Sequence, residues 1–267
     1  MNTALKKKSL EESLNGHTGG TIESERLVEV VGENELRDIL DQYKEFLDKN
    51  LIFNYQGSAF DAEDVSYAFD LVKRTLTPEE INNFLQLTAI CDDHPLYWSN
   101  TSLFLSGLIQ ESYNDGNSSF DLNVQNFNSL WAIGAFLDGS QEQPLSIKVN
   151  GNIDSYLGVS SKDVKFYLNG NTTLFCGSCS QNSEFYIEGD VSGVGFGSRD
   201  SLFDLRGKVK DIYLANAKGS TFLISDRDLF ERTREKYAGV VRAEALERNE
   251  IYFVHPDGHK ELLVIEK

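Results

Sequence analysis

Few residues in this chain combine type and spacing in a way that could do chemistry. Cys176-Gly177-Ser178-Cys179 is a C-x-x-C, a spacing that suits a thiolate metal site or a dithiol redox pair. A metal site needs two further ligands, and the four histidines, His17, His94, His255 and His259, all lie far away in sequence. A redox pair needs a helix N-terminus to lower a thiol pKa, whereas this segment reads as a turn between strands. Both thiols are therefore expected to be small packed side chains. With Cys91 the cysteines number three, too few and too odd for a disulfide framework, so a reducing compartment is expected.

His255 and His259 flank one turn and could together touch a metal or a phosphate, but no third ligand stands near them in sequence. Val194-Gly195-Phe196-Gly197 carries glycines in the manner of a phosphate loop, without the following helix or lysine that such a loop requires. Glu188, Asp190 and Asp204, with Tyr186, are the one set of acids on successive repeats that could converge, as an enzyme acting on a saccharide or acyl substrate would need. Neighbouring acids such as Glu79 with Glu80 and Asp92 with Asp93 say little in so acidic a chain. No catalytic residue, metal ligand or cofactor is assigned.

The net charge is -17, with a pI near 4.6. Residues 23–144 hold six bases against twenty-two acids, while residues 145–224 hold eight of each. A nucleic-acid backbone or an anionic membrane would be repelled by that field, and no basic patch offsets it. Nor is there an eighteen-residue apolar run, or an apolar stretch behind Lys6, Lys7 and Lys8. A cytoplasmic protein is expected, with residues 1–22, holding Gly16, Gly19 and Gly20, as a disordered tail. The concentrated acidity of residues 23–117 points to a protein partner, which a single-sign field would steer.

The elements that would position these residues follow from periodicity. Three-and-four spacing of Leu36, Ile39, Leu40, Tyr43 and Leu47 predicts a helix over Glu33 to Leu47, and Val65, Ala68, Phe69 and Val72 predict one over Asp61 to Leu76. Thr77-Pro78-Glu79-Glu80 reads as an N-cap, a first-turn proline and a capping-box glutamate, opening a helix through Ile90. His94-Pro95 breaks the chain, and Trp98 to Tyr113 is again helical. Asn114-Asp115-Gly116-Asn117 is a turn.

From residue 145 the pattern changes to a repeat. Gly151, Gly170, Gly189 and Gly207 are spaced nineteen, nineteen and eighteen residues apart. Four residues before them stand Ile147, Phe166, Phe185 and Phe203, and two before stand Val149, Leu168, Ile187 and Leu205. Alternation of this kind is strand periodicity, and each glycine is expected to turn a corner with positive φ. A second glycine register runs through Gly158 and Gly177 to Gly195 and Gly197. Repeats that cannot bury their own apolar faces predict stacking, with Phe166, Phe185, Phe203 and Phe222 as an interior ladder. Leu122 and Val124 before Asn126 suggest an additional edge repeat, with Trp131 following, and the register is lost at Asp226. Asp226 to Leu246 has helical spacing, and Glu250 to Glu266 reads as a hairpin about Pro256-Asp257-Gly258, with Leu263, Val264 and Ile265 in its second strand.

The alternation of Val149-Asn150-Gly151-Asn152-Ile153 and Leu168-Asn169-Gly170-Asn171 with Gly158 and Gly177 resembles the glycine-rich right-handed β-helix of glutamate synthase large subunits. A similar repeat is carried by formylmethanofuran dehydrogenases. The resemblance covers residues 145–224 and departs from the pattern in its fewer glycines and Asn-rich corners. It implies an organising module that holds other domains, or an accessory subunit of a redox complex. The fold class expected is α+β. A disordered tail (1–22) precedes an acidic helical domain (23–117), a short single-stranded β-solenoid of about nineteen residues per coil (118–225), and a capping helix with β-hairpin (226–267). The function expected is that of a non-catalytic interaction or scaffold protein rather than an enzyme.

Overall fold

A computed structural model describes residues 36–49, 51, 62–72, 74–127, 130–237 and 248–264. The expected tail with Lys6, Lys7, Lys8 and His17, the first residues of the first helix, residues 238–246 of the helix after Asp226, and Ile265 lie outside the described residues. The chain divides into two compact units, residues 1–41 and 42–267. Of the first unit, residues 36–41 are described and are helical, and helical structure runs on to residue 47 (α1, 36–47).

Three further helices, α2 (Ala62–Leu71), α3 (Pro78–Thr88) and α4 (Tyr97–Asn114), precede the strands. The start of α3 is set by its sequence. Thr77 Oγ1 accepts the Glu80 amide while Glu80 Oε2 accepts the Thr77 amide at 2.8 Å, and Pro78 opens the first turn. Two N-terminal amides that the helix cannot satisfy internally are thus paired. Tyr43, Phe46, Phe84 and Phe104 are fully buried and meet at centroid distances of 5.5–5.6 Å. Buried Asn100 donates through Nδ2 to the carbonyls of Phe46, Leu47 and Lys49, closing the C-terminus of α1. Burial drives the Tyr97 phenol up to about 12, although its hydrogen bond to the Thr88 hydroxyl pulls the other way.

The strands are β1 (Ser119–Asn123), β2 (Leu145–Asn150), β3 (Val164–Asn169), β4 (Glu184–Ile187), β5 (Leu202–Leu205), β6 (Thr221–Ile224), β7 (Glu250–Val254) and β8 (Lys260–Leu262), with α5 (Arg227–Lys236) between β6 and β7. They form one sheet in sequential order, parallel from β1 to β7 and antiparallel at β8. This corrects the expected α+β arrangement with a short single-stranded β-solenoid. The architecture is an open, mostly parallel eight-stranded sheet with five α-helices among the described residues, an α/β sheet fold. The reason lies within each repeat. One side of it holds a run of four to six strand residues, whereas the remaining sides meet their neighbours through single bridges such as Ile153 with Thr172 and Cys176 with Val194. Isolated bridges do not build further continuous strands.

Inside the sheet, Phe120, Ile147, Phe166, Phe185, Phe203, Phe222 and Ile251 stand in one register. The rings of Phe166, Phe185, Phe203 and Phe222 stack within 8° of parallel at 4.8–5.0 Å, a separation imposed by strand spacing. Facing them is the second glycine register. A Cβ on Gly158 would lie 2.6 Å from the rings of both Phe166 and Phe185, and one on Gly177 would lie 2.4 Å from Phe203. Both glycines also sit at φ +62°, where a side chain costs about 1–2 kcal/mol.

The first glycine register works differently from expectation. In it only Gly151 has a positive φ, +122°. Gly170, Gly189 and Gly207 are required by close approach instead, because a Cβ on each would fall 2.0–2.3 Å from the carbonyl oxygen of the preceding glycine of the column.

The edge repeat is also shifted. Leu122 pairs with Val149 and Phe120 with Ile147, a two-residue slip from the alignment of Leu122 with Ile147. A slip of two keeps the same side chains on the same face, so the apolar pattern alone does not distinguish the registers. The exposed edge of β1 is closed by α3: Asn82 Oδ1 accepts the Asn123 amide at 2.9 Å, and Gln86 Nε2 donates to the Asn123 carbonyl at 2.7 Å.

Gly177→Ala is expected to lose about 2–4 kcal/mol of stability through overpacking and left-handed strain together. Gly116→Ala, where φ is +105° but a Cβ meets nothing within 4 Å, is expected to lose only about 1–2 kcal/mol. Denaturant unfolding of the two variants checks this, and equal losses would remove the role given to the phenylalanine stack.

Candidate functional site

The C-x-x-C lies in a turn that includes Gly177 of the second glycine register, with the Gly177 amide donating to the Leu157 carbonyl. Cys176 is fully buried, and burial pushes its thiol well above the ordinary range. Burial also raises Cys179, against a smaller opposing pull from Arg199. Neither thiol is poised as a nucleophile, which needs the thiolate. Cys179 faces Gly197, whose added Cβ would lie 3.2 Å from the Cys179 sulfur. Ser198 stands in the column of Ser161 and Ser180, because the repeat is here one residue shorter.

Those serines were not singled out by sequence reasoning. Ser161, Ser180 and Ser198 each donate to the carbonyl three residues earlier, of Gly158, Gly177 and Gly195. They meet a second buried column, Ser183, Ser201 and Ser220, at 2.9–3.4 Å. Asn249 Oδ1 ends that column by accepting the Ser220 amide at 3.0 Å. The signal was present as Gly-x-x-Ser after each inner glycine and Ser two residues before each of Phe185, Phe203 and Phe222. Its work is to satisfy buried backbone groups, so the inner columns are structural.

His255 and His259 stack ring on ring at 4.0 Å. His255 Nε2 lies 3.5 Å from Glu261 and His259 Nδ1 lies 3.7 Å from Asp257. Glu261 is held below the usual carboxylate range chiefly by its hydrogen bond from Arg227. His94 reaches Asp48 at 3.2 Å. Among the described residues, no group of three or more His, Cys, Asp or Glu is placed to hold a metal ion. Gly195 of Val194-Gly195-Phe196-Gly197 lies beneath Phe222 and serves the ring stack.

The acids set apart as a possible convergent group are not brought together on one reacting point. Glu188 and Asp204 both engage Arg206, at 2.6 and 3.5 Å, while Asp190 Oδ1 accepts the Lys208 amide at 2.8 Å. Asp190 continues a ladder of corner residues: Asn152 accepts the Asn171 amide and Asn171 accepts the Asp190 amide. Asp226 ends the ladder, taking the Val209 amide on one oxygen and capping α5 through Leu229 with the other. The Tyr186 phenol donates to Glu184 at 2.6 Å, and burial together with that carboxylate holds its proton far into the alkaline range. An open groove of about 620 Å³ beside α5 mixes Asp190, Asp226 and Asp228 with Lys208, Lys210 and Arg232. Arg232 there is spent on the carbonyls of Val209 and Lys210.

The helices differ. Glu63, Glu79, Asp92 and Asp93 are exposed and make no ion pair among the described residues. Tyr67, Leu87 and Ile90 are exposed on or just beyond the same helices, Ile90 at 71%. Glu63, Tyr67 and Asp70 fall four and three residues apart on α2, hence on one face.

No family model, no curated protein and no solved structure matches this chain. Among the described residues no helix is long and apolar enough to cross a membrane.

Thiol titration with an aromatic disulfide reagent at neutral pH is expected to leave Cys176 unmodified until denaturant is added, and mild oxidation is expected to form no Cys176–Cys179 bond. Rapid labelling of Cys176 in the native chain would contradict the packing role.

Proposed function

We propose that this chain is a non-catalytic interaction protein that holds a basic partner protein against its acidic helices. The observation that carries the reading is the contrast in how the acids are used. On the sheet they are engaged by cross-strand cations, with Lys148 on Asp121 at 3.0 Å, Lys165 on Glu184 at 3.1 Å and Arg206 on Glu188, or they cap backbone amides. On α2, on α3 and just beyond it, exposed acids that make no ion pair among the described residues stand beside exposed apolar side chains. Such a surface wastes nothing inside the fold and offers an opposite-charged partner both steering and burial. The rigid sheet then serves to hold that surface in place.

The test is a binding measurement on the full chain against a partner isolated on it, at low and at high salt. Retention is expected to fall at high salt and to drop about tenfold when Asp92 and Asp93 are both replaced by lysine. Retention indifferent to salt and to that reversal would overturn the reading.

A further inference from the structure

The outward face of the sheet carries a feature that the helical surface does not explain. Tyr167, Tyr186, Asp204, Leu223 and Tyr252 occupy one register across β3 to β7, and Leu262 of β8 stands opposite Tyr252. Being in register, they share the solvent face and form a largely apolar row running across five strands and onto a sixth. Tyr167 is 40% exposed and Leu262 45%. An apolar row of this extent on a solvent face is a mark of an interaction site.

At its centre is a carboxylate. Asp204 lies between Tyr186 and Leu223, with its side chain 21% exposed. Its ion pair with Arg206 is long, 3.5 Å, and Arg206 makes its short contact with Glu188. The neighbouring phenol does not help, because Tyr186 donates to Glu184. Asp204 therefore retains acceptor capacity in a setting where water is partly displaced, which strengthens its attraction for a cation.

The geometry also narrows the occupant. The rings of Tyr167 and Tyr186 stack on each other at 4.9 Å and 6°, so each covers one face of the other. Along this face Glu184, Glu188, Asp204 and Glu250 stand against Lys165, Arg206 and Lys260; Lys165 pairs with Glu184 and Arg206 with Glu188, which leaves Asp204, at the middle of the row, as the carboxylate offered to a cation.

We propose that the outer face of the sheet is a second docking surface, which takes a polypeptide segment carrying a lysine or arginine within an apolar run. The basic group meets Asp204, its aliphatic stem lies between Tyr186 and Leu223, and the flanking apolar residues cover Tyr167, Tyr252 and Leu262. The surface is separate from the acidic helices and its test is independent of them.

Fluorescence anisotropy of a short labelled peptide of alternating leucine and lysine, titrated with the full chain, tests it. Asp204→Asn is expected to weaken binding about tenfold, and Tyr167→Ser, an exposed position that leaves the interior untouched, several-fold. Asp92→Asn with Asp93→Asn is expected to change nothing, a peptide of glutamate in place of lysine to show no binding, and one of serine in place of leucine to bind much more weakly. Four results would overturn the proposal: no binding, unchanged affinity in Asp204→Asn and Tyr167→Ser, equal affinity for the serine–lysine peptide, or loss only in the Asp92 and Asp93 variant. The last of these would leave the helical surface standing by itself.

Discussion

Phenylalanine rings laid over glycines are the constraint on which the rest of this structure depends. Each of Phe166, Phe185, Phe203 and Phe222 needs the volume that a side chain on Gly158, Gly177 or Gly195 would take. Each ring also lies on the next at strand spacing. Burying one such side chain contributes about 1.5–3 kcal/mol, and parallel stacking adds about 0.5–1.5 kcal/mol. Because ring and glycine come from opposite sides of the same repeat, a strand that slipped by one residue would point its rings to solvent and leave the glycines over a void. Register, and with it the position of every outward side chain, is fixed from the inside.

Polar groups complete what the rings begin. The Ser183, Ser201 and Ser220 column and the Asn171, Asp190 and Asp226 ladder accept backbone amides, while Ser161, Ser180 and Ser198 donate to carbonyls; the two accepting series finish on Asn249 and on Asp226. The ends of the sheet are managed similarly. Side chains of α3 pair the backbone of Asn123 at one end, and β8 pairs β7 at the other. An open parallel sheet with unprotected edges would invite further strands.

Several of these features were legible in the residues themselves. The Thr77-Pro78-Glu79-Glu80 start of α3, the alternation that makes the strands, and the helix beginning at Asp226 each rest on local chemistry that sequence displays. What escaped was set by tertiary contact. The slip at β1 preserves face and so left no trace in the apolar pattern, and the need for Gly170, Gly189 and Gly207 arises from a neighbouring carbonyl rather than from their own dihedrals. The fold class went astray because a stacked repeat does not announce how many of its sides will form continuous strands. Of the chemistry, the packed nature of Cys176 was legible from its place in a turn between strands, while Cys179 is half-buried. Asp204 was noticed only as a possible member of an acid cluster; its place in an apolar row requires knowing which strands are neighbours.

Both proposed surfaces, the acidic helices and the outer face around Asp204, depend on a sheet whose register is specified from within. That dependence requires the phenylalanine and glycine columns to make the sheet the last part of the chain to open. Amide hydrogen exchange on the native full-length chain, resolved strand by strand, tests this most directly. Strands β3, β4 and β5 are expected to exchange slowest and together, after α2 and α3 have opened. Exchange of those strands ahead of the helices, or strand by strand at unrelated rates, would contradict it.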